Sequence, residues 1–183
     1  MLSIRKYEPK DKENVRFACL NSEGGGMPAE LCEFILHIFC DYYVEQEPEN
    51  TFVLDDDGKA VGYIFCAENF DKFKPVYDAQ YAPLIAHLGE DNIKWAAEAY
   101  DLHAKYRDTY PAHLHIDLLP QYQRMGWGGK LINTLFEHLR SKGIKGVMLT
   151  AGTGNTVGGS FYQKYGFEQL EILGTDVAYG MKL

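Results

Sequence analysis

Several organising devices are missing from this chain. Its four cysteines, Cys19, Cys32, Cys40 and Cys66, include no Cys-x-x-Cys pair, and each sits in an apolar setting. Buried thiols in a reduced, cytoplasmic protein are the simplest expectation. No export signal and no apolar span of membrane-crossing length stand out, so no membrane association is expected. Repeats, low-complexity tracts and interdomain linkers are also absent, and 183 residues then predict one domain over 1–183. Positive charge is scarce: 18 Lys and Arg face 26 Asp and Glu, a net charge of −8, which argues against a nucleic-acid partner. That balance suits a cationic substrate such as an amine, although acidity also serves solubility.

Thirteen tyrosines and ten phenylalanines supply a sizeable core or an aromatic-walled pocket. Leu2 to Tyr7 reads as a first strand, and Asp11 as the N-cap of a helix running to Leu20. The Ser22–Pro28 loop carries three consecutive glycines, which fits a mobile lid or a plain connector. Leu31, Phe34, Ile35, Ile38, Phe39 and Tyr42 form the apolar stripe of a second helix. Thr51–Leu54 and Ala60–Ala67 read as strands joined at Asp57-Gly58; the run Asp55-Asp56-Asp57 is turn chemistry, being too short a ligand series for a calcium loop. Between about 68 and 110, Tyr77–Leu88 predicts a short helix. In the same segment Ile93, Ala96, Ala97, Tyr100 and Ala104 share one helical face.

The most informative stretch follows. In Ala112–Leu119, Leu114, Ile116 and Leu118 alternate with His113, His115 and Asp117, the two-residue period of a strand. Leu131, Ile132, Leu135, Phe136 and Leu139 then give a helix from about Gly126 to Arg140. A glycine-containing turn between strand and helix offers free N–H groups and the positive end of a helix dipole, a natural anion site. A Walker loop fails here, because Leu131 follows Gly129-Lys130 and Arg124 stands at the first glycine position. A Rossmann turn lacks its third glycine, again at Leu131. Downstream, Lys145–Thr150 reads as a strand, Asn155–Tyr165 as a helix, Gly166-Phe167 as the start of a return strand, and Val177–Lys182 as the closing strand.

Gln123-Arg124-Met125-Gly126-Trp127-Gly128 fits the pattern Gln/Arg-x-x-Gly-x-Gly/Ala. Asn155, Phe161, Tyr162, Lys164, Gly166 and Phe167 fit a second pattern, with Gly158 in place of its alanine. Two motifs in this order resemble the GNAT acyltransferase superfamily. Over residues 113–128 the chain is similar to the acetyltransferase-like domain associated with O-GlcNAcases; no glycosidase segment accompanies it, so nothing about sugar hydrolysis follows. The resemblance implies an α/β (α+β) GNAT fold: a mixed central sheet with a splayed central strand pair and flanking helices. The segment 68–110 is then a helical insertion before the central strand, serving as one wall of the acceptor cleft, a packing appendage or a homodimer contact.

The resemblance also implies acetyl-CoA as cofactor and a small-molecule or peptide amine as acceptor. The freed backbone around Leu118 and Leu119 would pair with the pantetheine arm, and the N–H groups of Gln123, Arg124, Met125, Gly126, Trp127, Gly128 and Gly129 would hold the pyrophosphate. Arg124 would add charge, whereas Trp127 suits packing better than adenine stacking. Asn155 would touch the cofactor arm or cap its helix, Lys164 belongs to the same motif, and Tyr162 would protonate the leaving thiolate. The base must lie near the splayed strand, which leaves His113, His115, Asp117 and Glu68. Proximity to the cofactor arm favours the Asp117–His115 pair. His113 and His115 share a face and permit a His-x-His metal site, but the acyltransferase motifs already account for the region and no metal is expected. A binding module without turnover is the alternative to an enzyme.

Overall fold

The computed structural model describes all 183 residues. Strand β1 (Leu2–Lys6) leads through a 3-10 turn, Pro9–Asp11, into α1 (Lys12–Asn21). Asp11 stands at the N-cap position, but its side chain does not cap. It is buried, accepts the Glu8 N–H at 2.9 Å, and takes a forked pair of hydrogen bonds from Arg5 at 2.6 and 2.8 Å. The stripe read as one second helix is two helices, α2 (Ala29–Phe39) and α3 (Asp41–Gln46). Cys40, at φ −128° and ψ −58°, bends the chain between them and turns Tyr43 into the core.

Strands β2 (Thr51–Asp56) and β3 (Lys59–Ala67) form the expected hairpin, where Asp55 accepts the Gly58 N–H at 2.9 Å. After the insertion come β4 (Ala112–Leu118), α7 (Trp127–Ser141), β5 (Gly146–Gly152), α8 (Thr156–Tyr165), β6 (Glu168–Leu173) and β7 (Asp176–Lys182). The seven strands lie in the order β1-β2-β3-β4-β5-β7-β6, and every neighbouring pair is antiparallel except β4–β5.

The two sheet faces differ in kind. Helix α7 lays Leu131, Ile132, Leu135, Phe136 and Leu139 across the strands on one side, and α8 sits beside it through Phe161 and Tyr165. The other face carries Tyr63, Phe65, His113, His115 and Asp117, covered by α1, α2 and α3. Burying this much apolar surface is the main drive to fold, and β3 is buried from Ala60 to Ala67.

The insertion departs from its expected form. It opens with α4 (Phe70–Val76), hidden from a sequence reading by Pro75, and Asn69 caps it by accepting the Lys72 N–H at 3.0 Å. Residues 77–88 are one wide turn and one tight one rather than a regular helix. The single apolar face expected beyond them breaks at Tyr100 into α5 (Glu90–Glu98) and α6 (Asp101–Tyr106). Nor does the insertion wall the acceptor cleft: none of residues 68–110 lines the opening in the sheet, and Tyr77, Tyr81 and Tyr100 are buried against Tyr42, Tyr43 and Phe73, behind α2 and α3. Their hydroxyls are committed internally, to Ala96 O at 2.9 Å, Glu45 at 2.7 Å and Ile38 O at 2.8 Å. The insertion is a buttress behind α2, where Trp95 stacks on Phe34 with ring centroids 4.1 Å apart.

Candidate active site

Strands β4 and β5 pair only at Ala112–Val147 and His113–Met148. Beyond that point β4 keeps its ladder with β3, β5 keeps its ladder with β7, and the two part. The Leu119 N–H donates to Val61 O at 3.0 Å. By the alternation of an antiparallel ladder, Asp117 and His115 also face β3, while Ile116 and Leu118 turn their backbone groups into the gap. Two cavities open there, of about 520 and 450 Å³, and they share Ser22, Glu23 and Asp117.

The larger cavity runs under the 123–129 loop. No backbone bond outside the regular elements uses the N–H of Arg124, Met125 or Gly126, and those of Trp127, Gly128 and Gly129 are in the unpaired first turn of α7. Six donors therefore converge on one end of a helix dipole. Arg124 (φ 60°) and Gly126 (φ 82°) both adopt left-handed backbone, which turns successive N–H groups inward as an anion nest. Gln123 differs from the expectation: its N–H is bonded to Pro120 O at 3.3 Å, and its side-chain amide donates to Ser22 O at 2.7 Å and Leu118 O at 2.8 Å. Leu119 differs too, because its carbonyl accepts from Tyr122 and its N–H is committed to Val61. The freed backbone thus belongs to Ile116 and to the Leu118 N–H, the Leu118 carbonyl being taken by Gln123.

Helix α8 supplies the facing wall. A Cβ at Gly128 would lie 3.3 Å from the Phe161 ring, so glycine there lets α7 and α8 close around the cavity. Asn155 lines the cavity and caps α8 by accepting the Gly158 N–H at 2.8 Å. A Cβ at position 158 would stand within 2.8 Å of that side chain, which explains glycine in place of the motif's alanine. Tyr162 also lines this cavity, its hydroxyl unbonded within the chain; burial, with Asp117 nearby, pushes its pKa up. Lys164, Met125 and Trp127 are not part of the lining: Lys164 and Met125 are exposed, and Trp127 lies under Lys130, whose Nζ is 3.9 Å from the ring centre.

The smaller cavity lies on the histidine face, among Ser22, Glu23, Phe39, Tyr63, His115, Asp117 and Asp176. Burial raises the Asp117 pKa to about 6, against a hydrogen bond from the Tyr63 hydroxyl at 2.6 Å that lowers it. Burial moves His115 the other way, to about 4. The expected Asp117–His115 pair is not directly bonded, because His115 Nε2 meets the Tyr43 hydroxyl at 2.9 Å instead. His113 is walled in behind, its Nε2 on the same hydroxyl at 2.9 Å, so the two imidazoles converge on Tyr43 and not on a shared metal position. Glu68 is excluded by place: it follows Ala67, the partner of His113, at the paired end of β4, and it is salt-bridged to Lys142. Sequence reading missed Tyr63, Glu23 and Asp176 in this lining and Tyr43 behind it: the β3–β4 register, the loop after α1, the start of β7 and the turn into α3 bring them together, and no local motif announces these residues.

A model of the acetyltransferase (GNAT) family matches residues 17–167. The chain is similar over 99% of its length to 98% of the solved protein SsHAT, at 30% identity and a TM-score of 0.87. It shares its fold with the PaiA N-acetyltransferase of Thermoplasma acidophilum, solved with coenzyme A (19% identity, TM-score 0.66, 100% and 99% of the two chains). The same holds for a Drosophila melanogaster polyamine N-acetyltransferase that forms N-acetylagmatine (18% identity, TM-score 0.64, 100% of both chains).

Proposed function

The chain belongs to the acetyltransferase (GNAT) family, and from that premise we propose an acetyl-CoA-dependent N-acetyltransferase acting on a primary amine of a small molecule or peptide. The carrying observation is the pair of cavities meeting at Asp117, one under a backbone anion nest and one lined by carboxylates. Glu23, Asp117 and Asp176 border the second cavity, and no lysine or arginine does, which favours an acceptor that arrives as an ammonium ion. The contiguity of the two cavities supports direct attack with both substrates bound.

The residues fit the cofactor. Six free N–H groups at 124–129 would hold the pyrophosphate, and the backbone of Ile116 with the Leu118 N–H would pair with the pantetheine amides as an added strand does. Acetyl-CoA supplies the thioester carbonyl and the sulfur leaving group. Asp117, with its pKa near 6, is ionised at neutral pH and accepts one proton from the ammonium group, freeing the nitrogen lone pair. As the nitrogen bonds to the carbonyl carbon and the C–S bond breaks, Tyr162, held protonated by burial, donates its phenolic proton to the departing sulfur and recovers one from the acylated nitrogen.

Likeness of 113–128 to the domain associated with O-GlcNAcases supports a second reading, a module that binds acetyl-CoA without turnover. Calorimetry with coenzyme A, followed by a coenzyme A release assay over polyamines, amino acids, aminoglycosides and basic peptides, separates the two. Binding with release on at least one amine is expected. Binding without release on any of them selects the module, and no binding removes both.

A further inference from the structure

Tyr43 lies wholly buried behind the acceptor cavity, where one hydroxyl meets three polar neighbours: His115 Nε2 at 2.9 Å, His113 Nε2 at 2.9 Å and the Tyr100 hydroxyl at 3.1 Å. Protons can be counted around it. Tyr100 stands 2.8 Å from Ile38 O, which can only accept, so the Tyr100 proton goes there. For the Tyr43–Tyr100 contact to be a hydrogen bond, Tyr43 must donate its only proton to Tyr100. The Tyr43 oxygen is then left with its lone pairs, and both imidazoles must donate to it through Nε2–H. Any other assignment strands one of the three contacts in a dry core, where an unmade hydrogen bond is costly.

The consequence falls on His115. With Nε2 carrying the proton, neutral imidazole keeps its lone pair on Nδ1. That nitrogen makes no hydrogen bond within the chain, and His115 borders the acceptor cavity. The unpartnered ring nitrogens shut away from solvent are those of His113 and His103, not this one. We infer that Tyr43 is a positioning residue that fixes His115 as a neutral acceptor, its Nδ1 lone pair taking an N–H of the substrate amine while Asp117 removes the proton. This rests on the acetyltransferase reading. Burial, which moves the His115 pKa down to about 4, keeps the ring neutral against the pull of the Asp117 and Asp176 carboxylates that line the same cavity.

The test reads the tautomer directly. Long-range proton–nitrogen NMR on uniformly 15N-labelled full-length protein near pH 7.5, with His115→Gln for assignment, should show His115 protonated at Nε2 and bare at Nδ1. A ring protonated at Nδ1, or at both nitrogens, overturns the inference whether or not the protein acetylates anything. An amine that the wild type acetylates should move the Nδ1 resonance when added to the coenzyme A-bound protein; an unmoved resonance overturns the acceptor role. Tyr43→Phe should mix the tautomers and lower kcat/KM by about tenfold or more while leaving acetyl-CoA affinity unchanged. Unchanged tautomer and turnover in that variant overturn the role of Tyr43, and if the variant does not fold, the wild-type spectra decide.

Discussion

The 124–129 loop and the wall around His115 border the same opening in the sheet, yet they are made of different material. The loop offers backbone: six N–H groups, two left-handed residues and glycines where α7 and α8 close in. The wall offers side chains from separate elements: Phe39 of α2, Tyr63 of β3, His115 and Asp117 of β4, and Asp176 of β7, with Tyr43 of α3 behind. A backbone site is local and tolerates almost any side chain that keeps its φ and ψ. A side-chain site exists only once distant segments have packed. The first suits a ligand part that never varies, the second one that does.

Substitutions on the two sides should separate by which constant they move. At the meeting point, Tyr162→Phe should lower kcat about 10²–10⁴-fold with little change in acetyl-CoA affinity; near-normal turnover would hand the proton to water. Asp117→Asn should lower kcat/KM about 10²-fold at neutral pH. In the wild type the folded pKa of Asp117 is raised, so the carboxylate forms and activity rises through about pH 6, and the variant should lose that limb. The same raised pKa means the folded state binds the proton more tightly than the unfolded chain. The stability contribution is therefore present at low pH and lost as pH rises through about 6, so Asp117→Asn should melt above the wild type at pH 8.

On the backbone side, Gly126→Val forces a β-branched residue to φ 82° and should weaken coenzyme A binding about ten- to a hundredfold by calorimetry, with the fold retained. The smallest effect tests the buttress. Trp95→Ala removes the stack on Phe34 and should cost about 1 kcal/mol, lowering Tm by about 2–4 °C with coenzyme A affinity unchanged. A change in that affinity would show that the two sides are mechanically joined.

The same division decides what was legible beforehand. Period-two alternation gave β4, period 3.6 gave α7, and the glycine spacing gave the turn between them, because all three are set within a few residues. The bend at Cys40 left no such mark, since Phe39 and Tyr42 belong to one unbroken apolar stripe in sequence. Pro75 concealed α4, and tertiary burial of Tyr100 overrode the face drawn through Ile93 and Ala97, of which Ile93 is 43% exposed. Asp117 and His115 were legible as neighbours on a strand face. That each is held by a different tyrosine was not, because Tyr63 arrives through the β3–β4 register and Tyr43 through the turn of α3.

The parting of β4 from β5 gives one strand two kinds of amide. His115 and Asp117 donate into the ladder with β3, while Ile116 and Leu118, a single residue away, point at the opening. In deuterated water the strand should label in alternation, quick at Ile116 and Leu118 and slow at His115 and Asp117, even though all four share one stretch of backbone. Such a comb-like pattern marks a strand that is paired on one side only. Its flattening on addition of coenzyme A would make the isotope a residue-by-residue ruler of how far the cofactor arm replaces the missing neighbour.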